Sequence, residues 1–114
     1  MAHELAALDA TAQAELVRTG QVSPTELVEA AIDRIERINP SLNAVIHPRH
    51  EKARAEAANA TGDAPFRGVP LLIKDCGTAI AGEPAHNAMR GLQRIDHRAT
   101  QDSWHVARYR RAAS

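Results

Sequence analysis

The stretch Pro65-Phe66-Arg67-Gly68-Val69-Pro70-Leu71-Leu72-Ile73-Lys74-Asp75 holds the most apolar run of the chain, and that run ends in a charge. Leu71, Leu72 and Ile73, bounded on the left by Arg67-Gly68 and Pro70, read as a short buried strand. A strand that is apolar on both faces is covered on both faces, as in an α/β sheet. Lys74 stands where this strand leaves the core, and lysine is almost never fully buried without a partner. It reaches solvent, pairs with an acid such as Asp75, or is kept there for chemistry.

The other elements are read around that strand. Asp9-Ala10-Thr11 opens a helix over 11–19, with Gly20 as its C-cap candidate. Ser23 as N-cap, Pro24 at the first helical position and Glu26 three residues on form a capping box. The helix that follows, 24–38, carries one apolar stripe of Leu27, Val28, Ala31, Ile32, Ile35 and Ile38. Asn39-Pro40 is expected to end it, because the residue before a proline is pushed out of the helical region. Strands are expected near 43–46, 70–74 and 78–81, and an alanine-rich helix near 49–60. Residues 82–100 show no sustained period and read as an irregular segment. A last helix, 102–112, starts from Asp102 or Ser103. The alternation of helix and strand predicts α/β.

Composition qualifies this. Leu, Ile, Val and Phe make up only 22 of the 114 residues, while alanine supplies 23. Alanine favours helix but buries little area. Net charge is zero, so disorder is not the reading. The elements are expected to pack against more chain than is present. Balanced charge gives no argument for nucleic acid or for an anionic membrane. No apolar segment approaches the roughly 20 residues of a membrane span, and Met1-Ala2-His3-Glu4-Leu5 has no signal-peptide character. The single cysteine, Cys76, excludes an intrachain disulfide and fits a reducing, cytoplasmic compartment.

Lys74 is the sharpest candidate for chemistry. A desolvated lysine favours its neutral form, and a neutral amine takes a proton from a hydroxyl nucleophile. The alternative is a strand-end lysine that reaches solvent or pairs with Asp75. Cys76 among small residues reads as a packed thiol or, alternatively, as a nucleophile. His47 and His50 flank Pro48 without clustered acids, which argues against a metal site. His86, His97 and His105 are scattered. Arg108, Arg110 and Arg111 read as a solvated helix face. The glycines form no phosphate-binding pattern. Of the serines, Ser23 and Ser103 read as caps, Ser41 lies in a turn and Ser114 ends the chain.

Four blocks resemble the N-terminal part of amidase signature enzymes. They are Val22–Ile35, Asn39–Val45, Pro65–Asp75 and Asp102–Ala112, in the family's order and spacing. The Gly-Val-Pro-x-x-Ile-Lys-Asp pattern at 68–75 is the most specific of them. The resemblance implies an incomplete α/β fold, the N-terminal portion of a mixed sheet covered by helices, with 1–114 as a fragment of a single domain. It aligns Lys74 with the lysine of a Ser–cis-Ser–Lys triad that hydrolyses a carboxylic amide without metal or organic cofactor. The small-molecule amide would be the partner of the completed enzyme. Neither triad serine occurs here, so a truncated chain, inactive alone, is expected. The alternative is a non-catalytic module that self-associates or binds a partner through uncovered apolar surface.

Overall fold

The computed structural model describes residues 2–113, with side chains from residue 4 onward; Met1 and Ser114 lie outside the described residues. The chain divides into two compact units, Met1–Pro70 with Ala112–Ser114, and Leu71–Arg111. The described residues form six helices: α1 (Ala2–Ala6), α2 (Ala10–Arg18), α3 (Pro24–Leu42), α4 (His50–Ala58), α5 (Arg90–Arg94) and α6 (Trp104–Ala113).

In the first unit, local signals at the helix ends fix the path of the chain. Asp9 caps α2 by accepting from the Ala12 N–H at 2.8 Å. At the other end Gly20 takes φ +76°, its N–H donates to the Val17 carbonyl, and the Gln21 N–H donates to the Leu16 carbonyl. These are the two bonds of a Schellman motif, which needs a residue at ease in the left-handed region. Three residues later the capping box closes. Ser23 Oγ accepts from the Glu26 N–H at 3.1 Å, and Glu26 Oε2 accepts from the Ser23 N–H at 2.8 Å.

The corner so formed folds α2 and α3 around Leu27, which is only 1% exposed. Leu5, Val17, Val22 and Ala30 surround it, with Leu16 and Val69 against the cluster. Full burial of one leucine contributes about 1.5–3 kcal/mol. Gln13 is buried here too, and its Nε2 donates to the Leu5 and Leu8 carbonyls at 3.0 and 3.4 Å, supplying donors to carbonyls at and just beyond the end of α1. A second cluster joins α3 to α4 through Val28, Ile32 and Ala57. Arg54 of α4 crosses to Glu29 of α3 at 2.7 Å above it.

α3 does not stop at Asn39-Pro40; Pro40 lies inside it and the helix runs to Leu42. Asn39 and Asn43 account for the extra turn. The Asn43 N–H donates to the Asn39 carbonyl at 2.7 Å while Asn43 adopts the left-handed φ of +51°. The Asn39 side chain accepts from the Ala44 and Val45 N–H groups and donates to the Val45 carbonyl.

The expected mixed sheet is absent. Among the described residues there is no strand, and the one β-type pairing is an isolated antiparallel bridge between Pro84 and Arg98. Each expected strand fails for its own reason. At 43–46 the backbone groups of Ala44 and Val45 are taken by the Asn39 side chain. At 78–81 they are taken by the start of α6. The Ala79 carbonyl accepts from the Ser103 N–H at 2.9 Å, and Asp102 Oδ1 accepts from the Ala81 N–H at 2.8 Å. At 70–74 no ladder forms, and Leu71 and Leu72 are 61% and 65% exposed. A strand exists only with a neighbour to receive its N–H and C=O groups, and none lies alongside among the described residues.

Candidate active site

The Gly68–Asp75 block begins in the first unit and ends in the second. Gly68 has φ +79°, and a Cβ on it would stand 2.5 Å from Pro24 Cβ, so only glycine lets this loop rest on the first turn of α3. The neighbouring N–H groups of Phe66 and Gly68 donate to the Ala112 and Ala113 carbonyls at 2.7 and 3.3 Å. They supply donors to the orphan carbonyls at the end of α6.

In the second unit Lys74 is exposed and opens a turn. Its carbonyl accepts from Thr78 Oγ1, and Gly77 completes the turn at φ +75°. Among the described residues no hydrogen bond or ion pair engages the Lys74 ammonium. Asp75 turns the other way: its Oδ1 accepts from the backbone N–H groups of His86 at 3.0 Å and Asn87 at 3.4 Å.

His86, read from the sequence as a scattered histidine, is 9% exposed. Its Nε2 lies 3.1 Å from Asp96 Oδ1. The other oxygen of Asp96 accepts from Arg98 Nε at 3.1 Å and Nη2 at 2.9 Å, and Arg98 Nη1 donates to the Gly82 carbonyl at 3.1 Å. Arg98 first, and His86 second, hold the Asp96 carboxyl below the usual carboxylate range. Backbone pairs tie the two arms of this loop together. Gly82 N–H donates to Ala99, Ala99 N–H to Glu83, and Ala85 N–H to His97.

No sequence motif announces this network. Its faint signal is residue type: Asn87 and Asp96 take left-handed φ values of +50° and +46°, which asparagine and aspartate tolerate best after glycine. Ala88 at φ +59° has no such excuse.

The remaining candidates are engaged elsewhere or stand alone. Ser23 caps α3, Ser41 donates to the Ile38 carbonyl, and Ser103 Oγ accepts from the Ala79 and Val106 N–H groups. Asp102, the other cap candidate, also accepts from Arg110 at 2.7 Å. Cys76 is a free, exposed thiol. No group of three or more His, Cys, Asp or Glu side chains that could hold a metal occurs among the described residues. An open depression of about 390 Å³ lies beside the end of α3, lined by Ile35, Glu36, Asn39, Pro40, Asn43, Pro48 and His50. Lys74 is not part of it. No helix among the described residues is long and apolar enough to cross a membrane.

The chain that carries this loop has known relatives. Residues 26–113 match the Amidase family model, and this chain belongs to the amidase family. It is 47% identical over 104 residues to the 6-aminohexanoate-cyclic-dimer hydrolase of Pseudomonas sp. (strain NK87), a match that covers 91% of this chain and 21% of the relative. It is 35% identical over 112 residues to an acylamidase of Rhodococcus erythropolis, covering 92% of this chain and 23% of that one. The solved structure of 6-aminohexanoate cyclic dimer hydrolase complexed with substrate superposes with a TM-score of 0.84 at 47% identity, over 93% of this chain and 21% of that chain. The chain thus spans about a fifth of the length of the curated relatives it matches.

Proposed function

We propose that this chain supplies the lysine of an amide-hydrolysing site, with Lys74 as the proton relay and the two serines contributed by polypeptide outside these 114 residues. The observation that carries the reading is the Gly68–Asp75 block inside the family match, with its lysine exposed and engaged by no other described residue.

The chemistry follows from the amine. A lysine accepts a proton only as the free base, and cover from further polypeptide favours that form. Through a bridging serine it would take the proton of a second serine, whose oxygen attacks the amide carbonyl. The same proton then passes to the leaving amine, and water releases the acid from the acyl-enzyme. Amide and water become acid and amine, with no cofactor consumed. The relatives' names point to an amide of an ω-amino acid, such as the 6-aminohexanoate cyclic dimer, as the first substrate to try.

The test joins these 114 residues to the serine-bearing remainder of the cyclic-dimer hydrolase, in place of its own matching segment. Release of amine from the cyclic dimer is then measured. Lys74→Ala is expected to lower turnover by about a thousandfold or more. Unchanged turnover in that variant would remove Lys74 from the mechanism. The 114-residue chain assayed alone is expected to give no turnover; hydrolysis lost with Lys74→Ala would show that it completes a site unaided.

A second reading rests on Leu42, Ile46, Leu71 and Leu72, which are 65%, 51%, 61% and 65% exposed. Apolar side chains so placed support self-association. Light scattering after size exclusion decides it, and a clean monomer at high concentration rejects it.

A further inference from the structure

Lys74 sits in an exposed stretch that no ladder holds. A proton relay works only if its amine is held to within about an ångström, since a misplacement of that size costs on the order of a hundredfold in rate. What fixes the main chain at Lys74 is therefore a mechanistic question, and the second unit contains an answer.

Asp75, the next residue, reaches the loop at 86–87 and accepts two backbone N–H groups there. A carboxylate accepting charge-assisted bonds makes stronger contacts than a neutral acceptor. Those two N–H groups point at Asp75 only while residues 86–88 keep their shape. Asn87 and Ala88 both have left-handed φ values, a conformation that an alanine holds only when its surroundings impose it. Beside this segment the buried His86 side chain meets Asp96, which also accepts from the Arg98 fork, and Arg98 donates to the Gly82 carbonyl. The bridge at Pro84 and Arg98 closes the base of the loop.

We infer that Asp75, His86, Asp96 and Arg98 are positioning residues for Lys74: the Asp75 carboxylate pins the lysine's main chain to a loop whose shape the His86–Asp96–Arg98 chain of contacts locks. This rests on the reading of Lys74 as the relay. None of the four touches substrate in the proposal; they act through the backbone next to the amine.

The test has two arms, so that failure of the lysine reading is separable from failure of this one. In the 114-residue chain, amide hydrogen exchange is followed by NMR. Asp75→Ala is expected to speed exchange at His86 and Asn87. His86→Leu is expected to speed it at 86–88 and also across the Lys74–Thr78 turn. His86→Gln, which retains a donor toward Asp96, is expected to stay close to the parent. Acceleration in His86→Leu that stops short of residues 74–78 overturns the inference, as does free exchange at His86 and Asn87 in the parent. In the joined enzyme, Asp75→Ala and His86→Leu are expected to lower kcat by roughly ten- to a hundredfold with KM nearly unchanged, and His86→Gln to recover most of it. An unchanged kcat, or a loss seen only as raised KM, overturns the positioning role. If Lys74→Ala proves silent in that enzyme, the lysine reading falls and the inference falls with it, whatever the exchange shows.

Discussion

In Met1–Pro70 with Ala112–Ser114, Leu27 is closed in by Leu5, Val17, Val22 and Ala30. In Leu71–Arg111, the buried apolar side chains among the described residues are Ala85 and Val106, and the connections run through Asp75, Asp96, Asp102 and Ser103. The difference is one of what each kind of contact supplies. Apolar burial is non-directional and scales with area, so the first unit gains stability from it without fixing any one atom tightly. A hydrogen bond contributes only about 1 kcal/mol net, but it demands a distance and an angle. The second unit therefore relies on contacts that fix placement more than on buried apolar area.

The contrast is most open to attack at Leu27. Leu27→Ala should destabilise the first unit by about 2–5 kcal/mol, because a cavity is added to the lost burial. Leu72→Ala, at a side chain 65% exposed, should stay within about 0.5 kcal/mol. Denaturant unfolding of the two variants side by side measures this, and equal losses would erase the distinction. Gly68→Ala should cost about 1–3 kcal/mol, since it combines a left-handed φ with a Cβ pressed on Pro24; the midpoint of thermal unfolding reports it. Ser23→Ala removes half of the capping box and should cost about 1 kcal/mol, with Ser23→Asp restoring most of the stability.

The smallest effect falls in the polar unit. Asp96 is held below the usual carboxylate range chiefly by Arg98. A carboxyl whose pKa is depressed on folding adds stability above its unfolded value of about 4 and loses it as pH falls through the folded value. Acidification below about pH 4 should therefore loosen the 82–99 loop first. Arg98→Gln should raise the Asp96 titration midpoint toward the ordinary value, as followed by NMR; an unmoved midpoint would show that the guanidinium does not set it.

The two units also differ in how much their sequence revealed. Ser23-Pro24-Thr25-Glu26 announces its helix because a capping box is a contact among four consecutive residues, and the pattern is the structure. Asn39-Pro40 misled for the opposite reason. The rule about prolines is local, and it was overridden by the Asn39 side chain reaching five and six residues ahead. In the polar unit the decisive spacings are longer still, Asp75 to His86 and Asn87, His86 to Asp96, Asp102 to Ala81. No periodicity encodes such contacts. The apolar run at 71–73 has the composition of a buried strand, yet a sheet is a property of neighbours and composition names none. Lys74 stands out at the end of that same run, whose surroundings are open where the sequence predicts a covered strand.

The exposure of Leu71 and Leu72 has one more consequence, and it concerns solubility. An extended apolar stretch with unpaired backbone groups is a template on which other chains can add. Here it is short and guarded: Pro70 on one side lacks a donor, and Lys74 with Asp75 on the other places two charges at its end. Lys74→Ala therefore removes a charge flanking the stretch together with the candidate base. Lys74→Arg separates them. Arginine keeps the charge that flanks the stretch but does not give up its proton, so an Arg variant that stays soluble as the 114-residue chain and is inactive in the joined enzyme, beside an Ala variant that aggregates, would assign each duty to the same side chain.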